Sequence, residues 1–241
     1  MTTALISDIH GNLEALDAVL AEIQARRPRR VLCLGDVVGY GASPNECLAK
    51  VRKHCELVLL GNHDAAASGG PEAARFNIYA RVAAEWTAKT LTRENREYLQ
   101  RLPVTSSQGS FYLVHASPAC PRDWEYLLDR FDAEPQFHYF TEPICFIGHT
   151  HQPAVYMADP AGCKSLPLSN VTLEPDRRYI VNVGSVGQPR DHDPRACFVV
   201  YHEAAGAVEF VRVPYDIEGA QAKIRAAQLP EVLAARLATG E

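Results

Sequence analysis

No run of about 18 apolar residues occurs in this 241-residue chain, so no segment is expected to span a membrane. The opening residues, Met1-Thr2-Thr3-Ala4-Leu5-Ile6-Ser7-Asp8, lack both a basic stretch and a long apolar one. A signal peptide is therefore not expected, and the segment reads as a first strand. Excess positive charge is missing too: 24 Lys and Arg stand against 29 Asp and Glu, a formal net charge of −5. That balance argues against a nucleic-acid backbone as a standing partner, and no stable nucleic-acid complex is expected. A nucleotide substrate stays open, because bound cations supply positive charge locally.

The seven cysteines, Cys33, Cys47, Cys55, Cys120, Cys145, Cys163 and Cys197, are scattered and contain no Cys-x-x-Cys pair. Such thiols fit a reducing cytoplasm better than a disulfide framework or a thiolate zinc site. Linker composition, low-complexity tracts and internal repeats are absent as well, so residues 1–241 are expected to form a single domain. No heptad seam is visible, which leaves the oligomeric state open, a homo-oligomer included.

What is present is an alternation of strand and helix through the first half, then a succession of strands. Residues 12–26 are amphipathic, with Leu13, Leu16, Leu20 and Ile23 on one face, Asn12 as cap and Pro28 as stop. Ser43-Pro44-Asn45-Glu46 reads as a helix start with Ser43 as cap and Glu46 completing a capping box. Residues 65–102 are mostly helical by propensity, interrupted at Gly69-Gly70-Pro71. Beyond His151, strands are expected over 154–157, 179–183, 197–201 and 208–213, followed by two helical segments. The pattern predicts an α/β molecule of two packed sheets with helices outside, its functional residues at the carboxyl ends of strands.

Five short segments stand at those ends: Asp8-Ile9-His10, Gly35-Asp36, Gly61-Asn62-His63-Asp64, Val114-His115-Ala116 and Gly148-His149-Thr150-His151. Each follows an apolar run, and together they hold five of the nine histidines. Asp, Asn and Gly at strand ends often only cap helices and form turns, but that account leaves the histidines unexplained. Mixed oxygen and imidazole ligands without thiolate suit manganese, iron or zinc better than calcium.

These segments, in this order, resemble the signature of the calcineurin-like metallophosphoesterases, and in particular the small bacterial phosphoesterases among them. The resemblance runs from residue 4 to 151 and implies a four-layer αββα sandwich of two mixed sheets flanked by helices. It implies two divalent cations, one held by Asp8, His10, Asp36 and His151, the other by Asp36, Asn62, His115 and His149. A hydroxide bridging the cations would then attack phosphorus, His63 would assist the leaving group unbound by metal, and Asp64 would orient His63. The implied substrate is a phosphate ester, small or nucleotide, cleaved by a phosphatase or phosphodiesterase. A dinucleoside polyphosphate hydrolase and a non-catalytic interaction module of the same fold are the competing readings.

The sequence departs from the phosphoprotein phosphatases at one loop. Where they continue Gly-Asp-x-x-Asp-Arg-Gly, this chain reads Gly35-Asp36-Val37-Val38-Gly39-Tyr40-Gly41 and lacks both the acid and the phosphate-gripping arginine. A replacement anion grip is expected from Gly184-Ser185-Val186-Gly187-Gln188-Pro189-Arg190, through glycine amides and the Arg190 guanidinium. Arg190 could instead pair with Asp191 or Asp193. Tyr40 either lines the substrate mouth or packs its loop. Residues Phe76 to Ala80 are expected to form a packed helix face before a roof over the pocket, and His192 reads as a solvated turn residue.

Overall fold

The computed structural model describes residues 2–168 and 171–241. Its first half runs β1 (Thr2–Ile6), α1 (Leu13–Arg26), β2 (Arg30–Cys33), α2 (Pro44–His54), β3 (Leu57–Val58), α3 (Asn62–Ala67), α4 (Ile78–Thr90) and α5 (Arg93–Leu99). There follow β4 (Thr105–Ser107), β5 (Phe111–Val114), α6 (Arg130–Ala133), β6 (Ile144–Ile147), β7 (Ala154–Asp159) and β8 (Gly162–Leu166). The chain finishes with β9 (Val171–Thr172), β10 (Arg178–Asn182), β11 (Ala196–His202), β12 (Ala207–Val213), α7 (Ile217–Ala226), α8 (Glu231–Ala235) and a 3₁₀ turn over Arg236–Ala238.

Local chemistry sets several of these boundaries. Asn12 caps α1 by accepting from Ala15 N, and Arg27 in the left-handed region ends it. Asn77 caps α4 by accepting from Tyr79 N and Ala80 N. Pro44 opens α2 as expected, but the Ser43 side chain makes no capping hydrogen bond, so the predicted capping box does not form.

Two mixed sheets result, of order β3-β2-β1-β11-β12-β9 and β4-β5-β6-β10-β7-β8. Each contains a parallel triplet, β1, β2 and β3 in the first and β5, β6 and β10 in the second. The remaining pairings are antiparallel. The short strands β4, β8 and β9 lie outside the runs that the sequence marks as strands. All three are sheet edges, paired on one side only, and the polar Thr105-Ser106-Ser107 carries little strand signal.

The sheets face each other across a core of Leu5, Leu32, Leu59, Phe111, Phe146 and Val199, among others. The outer face of the first sheet is covered by α1 and α2 through Leu16, Val19, Ile23, Leu48 and Val51. The second sheet is covered by α6 and the following turn through Ala133, Phe137 and Phe140. Layers run helix, sheet, sheet, helix, as expected of the αββα sandwich. Among the described residues no helix is long and apolar enough to cross a membrane.

Candidate metal centre and substrate cleft

Six loops leave the carboxyl ends of the two parallel triplets, and backbone hydrogen bonds tie them together. Asp8 N donates to Gly35 O, Gly148 N to His115 O, and Gly187 N to Asp8 O, at 3.1, 2.8 and 2.9 Å. This weave brings together Asp8, His10, Asp36, Asn62, His63, His115, His149 and His151, all buried. Asp8, His10, Asp36, His149 and His151 carry φ between 52° and 68°, in the left-handed region. Asp and His enter that region more readily than bulky residues, and such strain gathers where a site overrides local preference.

Three groups of potential metal ligands result: Asp8, His10 and His151; Asp36, His115 and His149; and His10, Asp36 and His63. Asp36 Oδ2 stands 3.6 Å from His10 Nε2 and 3.4 Å from His115 Nε2, so one carboxylate oxygen reaches both sides of the cluster. On distance alone His63 could join a metal too, which the reading of an unbound His63 did not anticipate.

The tautomers are fixed from behind. His10 Nδ1 meets Val38 O at 3.1 Å, His151 Nδ1 meets Gln188 O at 2.7 Å, and His115 Nδ1 meets Leu34 O at 3.0 Å. A carbonyl accepts only, so each Nδ1 is the donor, and in the neutral ring each Nε2 keeps a lone pair. His149 is turned the other way, with Nε2 donating to Trp124 O at 2.9 Å and Nδ1 left as the lone pair. His10 Nε2 and His151 Nε2 therefore face each other at 3.0 Å, two lone pairs that repel unless they share a cation.

Asp36 Oδ2, Asn62 Oδ1, His63 Nδ1 and His115 Nε2 are buried without any hydrogen bond. Unpaired buried polar atoms cost about 1–3 kcal/mol each. Four together would consume much of the roughly 5–15 kcal/mol by which a domain is stable. Leaving aside His63 Nδ1, which Gly39 closes in, the Asp36 and Asn62 oxygens and His115 Nε2 are oxygen and imidazole donors of the kind that fit divalent cations.

Electrostatics agree. Burial pushes His10 and His151 well down, His149 down to about 3 and His63 down to about 4, holding these imidazoles in the neutral form that ligates metal. For Asp36 burial alone would raise the pKa, but His115 and His63 hold its carboxyl below the usual range. Burial likewise acts to lower His115, yet Asp36 outweighs it and holds that ring up to about 9.

Asp64 makes no hydrogen bond to the His63 ring. Its carboxylate accepts from Val38 N at 3.1 Å and Gly61 N at 3.2 Å, pinning two loops together. The His63 ring is held by stacking on Phe76, centroids 4.4 Å apart, and by Tyr40 at 4.4 Å. Gly61 is required here, because a side chain would run into the Asp36 carboxylate.

The Gly184 to Arg190 loop also differs from expectation. Val186 N and Gly187 N donate to Ser7 O and Asp8 O, Gly184 N to Asn182 Oδ1, and Gln188 N to Ser185 Oγ. These amides hold the Asp8 loop and are not free for an anion. The Arg190 guanidinium is available: it pairs with neither Asp191, which binds Arg212, nor Asp193, which binds Arg195. Tyr40 does both things expected of it, packing against α7 and α8 while lining the cleft. His192 is an exposed turn residue.

Beside the cluster lies a cleft of about 550 Å³, lined by Asn62, His63 and His149 and by the aromatic rings of Phe76, Trp124 and Tyr126. Tyr126 stacks on His149 at 4.3 Å. Phe76 and Asn77, just ahead of α4, roof the cleft, and of the following residues only Ala80 is packed into the core, Ile78 and Tyr79 being exposed. Trp124 and Tyr126 sit in an irregular segment without periodicity, so no signal in the sequence marked them as cleft residues.

Residues 1–205 match the family model of the calcineurin-like phosphoesterase superfamily domain. The uncharacterized protein MJ0912 of Methanocaldococcus jannaschii is 40% identical over 241 aligned residues, covering 98% of this chain and 97% of that one. A metallophosphoesterase from Sphaerobacter thermophilus, of known crystal structure, superposes with a TM-score of 0.88 at 41% identity over the full length of both chains. Hypothetical protein PH1004 from Pyrococcus horikoshii OT3 shares the fold, with a TM-score of 0.79, 21% identity and coverage of 100% of this chain and 98% of its own. The ordered strand-end ligands, the two facing sheets and these matches agree: the chain belongs to the calcineurin-like phosphoesterase superfamily.

Proposed function

We propose that the protein is a phosphoric ester hydrolase that works with two divalent cations, manganese, iron or zinc. Asp8, His10, Asp36 and His151 would hold one cation, and Asp36, Asn62, His115 and His149 the other. The observation that carries this reading is the convergence of unpartnered Asp36 Oδ2, Asn62 Oδ1 and His115 Nε2 with the opposed nitrogens of His10 and His151. Cations held there would activate a water as nucleophile and neutralise charge on the phosphate oxygens.

The remaining chemistry falls to the chain. His63 is closed in at Nδ1 by Gly39 and lines the cleft, so Nε2 is the atom that donates a proton or hydrogen bond to the departing oxygen. Asp64 keeps His63 in place indirectly, by holding the Val38 and Gly61 loops. Arg190 and Tyr40 bind a phosphate oxygen at the rim. Phe76, Trp124 and Tyr126 offer flat faces to a planar leaving group, which favours a nucleotide among the candidate substrates. We further take residues 1–241 as one domain acting in a reducing cytoplasm, consistent with free Cys33, Cys47, Cys145, Cys163 and Cys197 being buried.

The test is hydrolysis by metal-stripped protein reconstituted separately with manganese, iron and zinc. Substrates are para-nitrophenyl phosphate, bis-para-nitrophenyl phosphate, a cyclic nucleotide and a diadenosine polyphosphate. Turnover restored by metal supports the reading, and the preferred ester assigns the class. Metal uptake with no turnover on any of the four would favour the non-catalytic module.

A further inference from the structure

Arg190 and Arg236 lie side by side without an acidic partner. Arg190 Nη2 donates to Gln188 Oε1 at 2.9 Å, and Arg236 Nη1 donates to the same oxygen at 3.3 Å. Among the described residues neither guanidinium makes an ion pair, and the Nε of each is buried with no partner. Glu241, exposed and 3.9 Å from His192, makes no ion pair with Arg236, although its charge acts on that guanidinium from a distance. Burial and the nearby Arg190 both push the Arg236 guanidinium down from its ordinary value. Two cations sharing one neutral amide oxygen form an incomplete arrangement, which an anion completes.

The pair has a direction. Arg190 sits over the Tyr40 ring at 5.7 Å, and Tyr40 in turn touches His10 at 4.7 Å. Arg236, on the 3₁₀ turn after α8, stands near both Tyr40 and Arg190 and shares the Gln188 amide oxygen with Arg190. Leu233, Ala234 and Leu237 pack this segment against Tyr40, α4 and α7, so Arg236 is fixed in place by the fold. Positive charge therefore continues from Arg190, beside the His10 and His151 side of the centre, to Arg236. A single phosphoryl group among the metal ligands does not need that second step, but a chain of phosphates does.

We propose that Arg190 and Arg236, joined through Gln188 beside Tyr40, form a second anion subsite for a phosphoryl group carried next to the scissile one. The substrate class is then a diphosphate or longer phosphate chain, in place of a simple monoester. This rests on the phosphoesterase reading for the identity of the first site, but its test reads binding and needs no turnover.

Inorganic phosphate and inorganic pyrophosphate are titrated calorimetrically into metal-loaded wild-type protein and into Arg236→Gln, with thermal melts to establish that the variant is folded. Both proteins meet the same metal–pyrophosphate equilibrium, so chelation cancels in the comparison. In the wild type pyrophosphate should bind at least about tenfold more tightly than phosphate, and Arg236→Gln should bring the ratio close to one. Arg236→Lys, which keeps the charge but loses the fork, should retain part of the preference. An equal loss for both anions would mean that the pair holds a lone phosphate, and an unchanged ratio would mean that it holds none. Either result overturns the subsite. Absent turnover with the preference intact would count against the enzyme reading alone.

Discussion

His63 differs from the other histidines of the centre in what holds its ring. The others are fixed by hydrogen bonds to carbonyls, whereas His63 is clamped between Phe76 and Tyr40 and has no hydrogen bond at Nδ1. Substitution by alanine should lower turnover by about 10²–10⁴-fold while metal content stays at the wild-type level, read by elemental analysis beside kinetics. A full rate, or metal-free protein, would sink that role. Gly39 supplies an independent probe. Its φ is +93° and an added Cβ would lie 2.6 Å from His63 Nδ1, so Gly39→Ala must displace the ring or the loop. Turnover should drop by up to about 10²-fold with the metals retained, although no chemical group has been removed. If Gly39→Ala is as active as wild type, ring placement is not what His63 depends on.

Among the elements, the strand ends were legible and the segments packed onto them were not. Asp-x-His and Gly-His-x-His follow apolar runs directly, so their position relative to the sheet is local information. Asp64 could be seen in the sequence but not its partners, because Val38 lies on a different loop. Arg236 stood in a helical segment whose packing site could not be read, since Tyr40 and Gln188 meet it only through tertiary contact. Phe76, just before α4, roofs the cleft, while Ala80 on α4 is the member of that segment packed into the core.

The loop that follows Arg190 shows how such contacts stabilise the rim. Hydrogen bonds from Arg195, and then the nearby Arg212, hold the Asp193 carboxyl below the usual carboxylate range. A depressed folded-state pKa contributes stability that is complete above about pH 4 and is lost as pH falls through the folded value. Asp193→Asn should therefore be less stable than wild type near neutrality, with the gap closing below about pH 4 in urea melts. A gap that stays flat down to about pH 3 would remove Asp193 from the account.

For the whole molecule, the proposed ligands are shared between the two sheets. Asp8, His10, Asp36 and Asn62 follow strands of the first, and His115, His149 and His151 follow strands of the second. Bound cations then favour the folded state over the unfolded one, by about 2.7 kcal/mol at a free concentration 100 times the dissociation constant. Chelation should lower the melting temperature by roughly 5–10 °C, measured with and without added manganese or zinc. No shift on chelation would mean that the cluster does not bind metal in solution.

The pairing of β1 with β11 has a consequence in time. Thr2 lies opposite His202 and Ala4 opposite Val200, and the Ser7 and Asp8 carbonyls are held by the amides of Val186 and Gly187. At about 5–20 residues per second, a ribosome needs on the order of 10–40 s to make the partner of a strand it produced first. Only in the last part of that interval, after His151 has been made, does the nascent chain carry every proposed ligand while the loop that closes around Asp8 does not yet exist. Loading with metal is therefore an event of the released or nearly finished polypeptide, and a chain stalled before Val186 would hold the right side chains without a pocket to gather them.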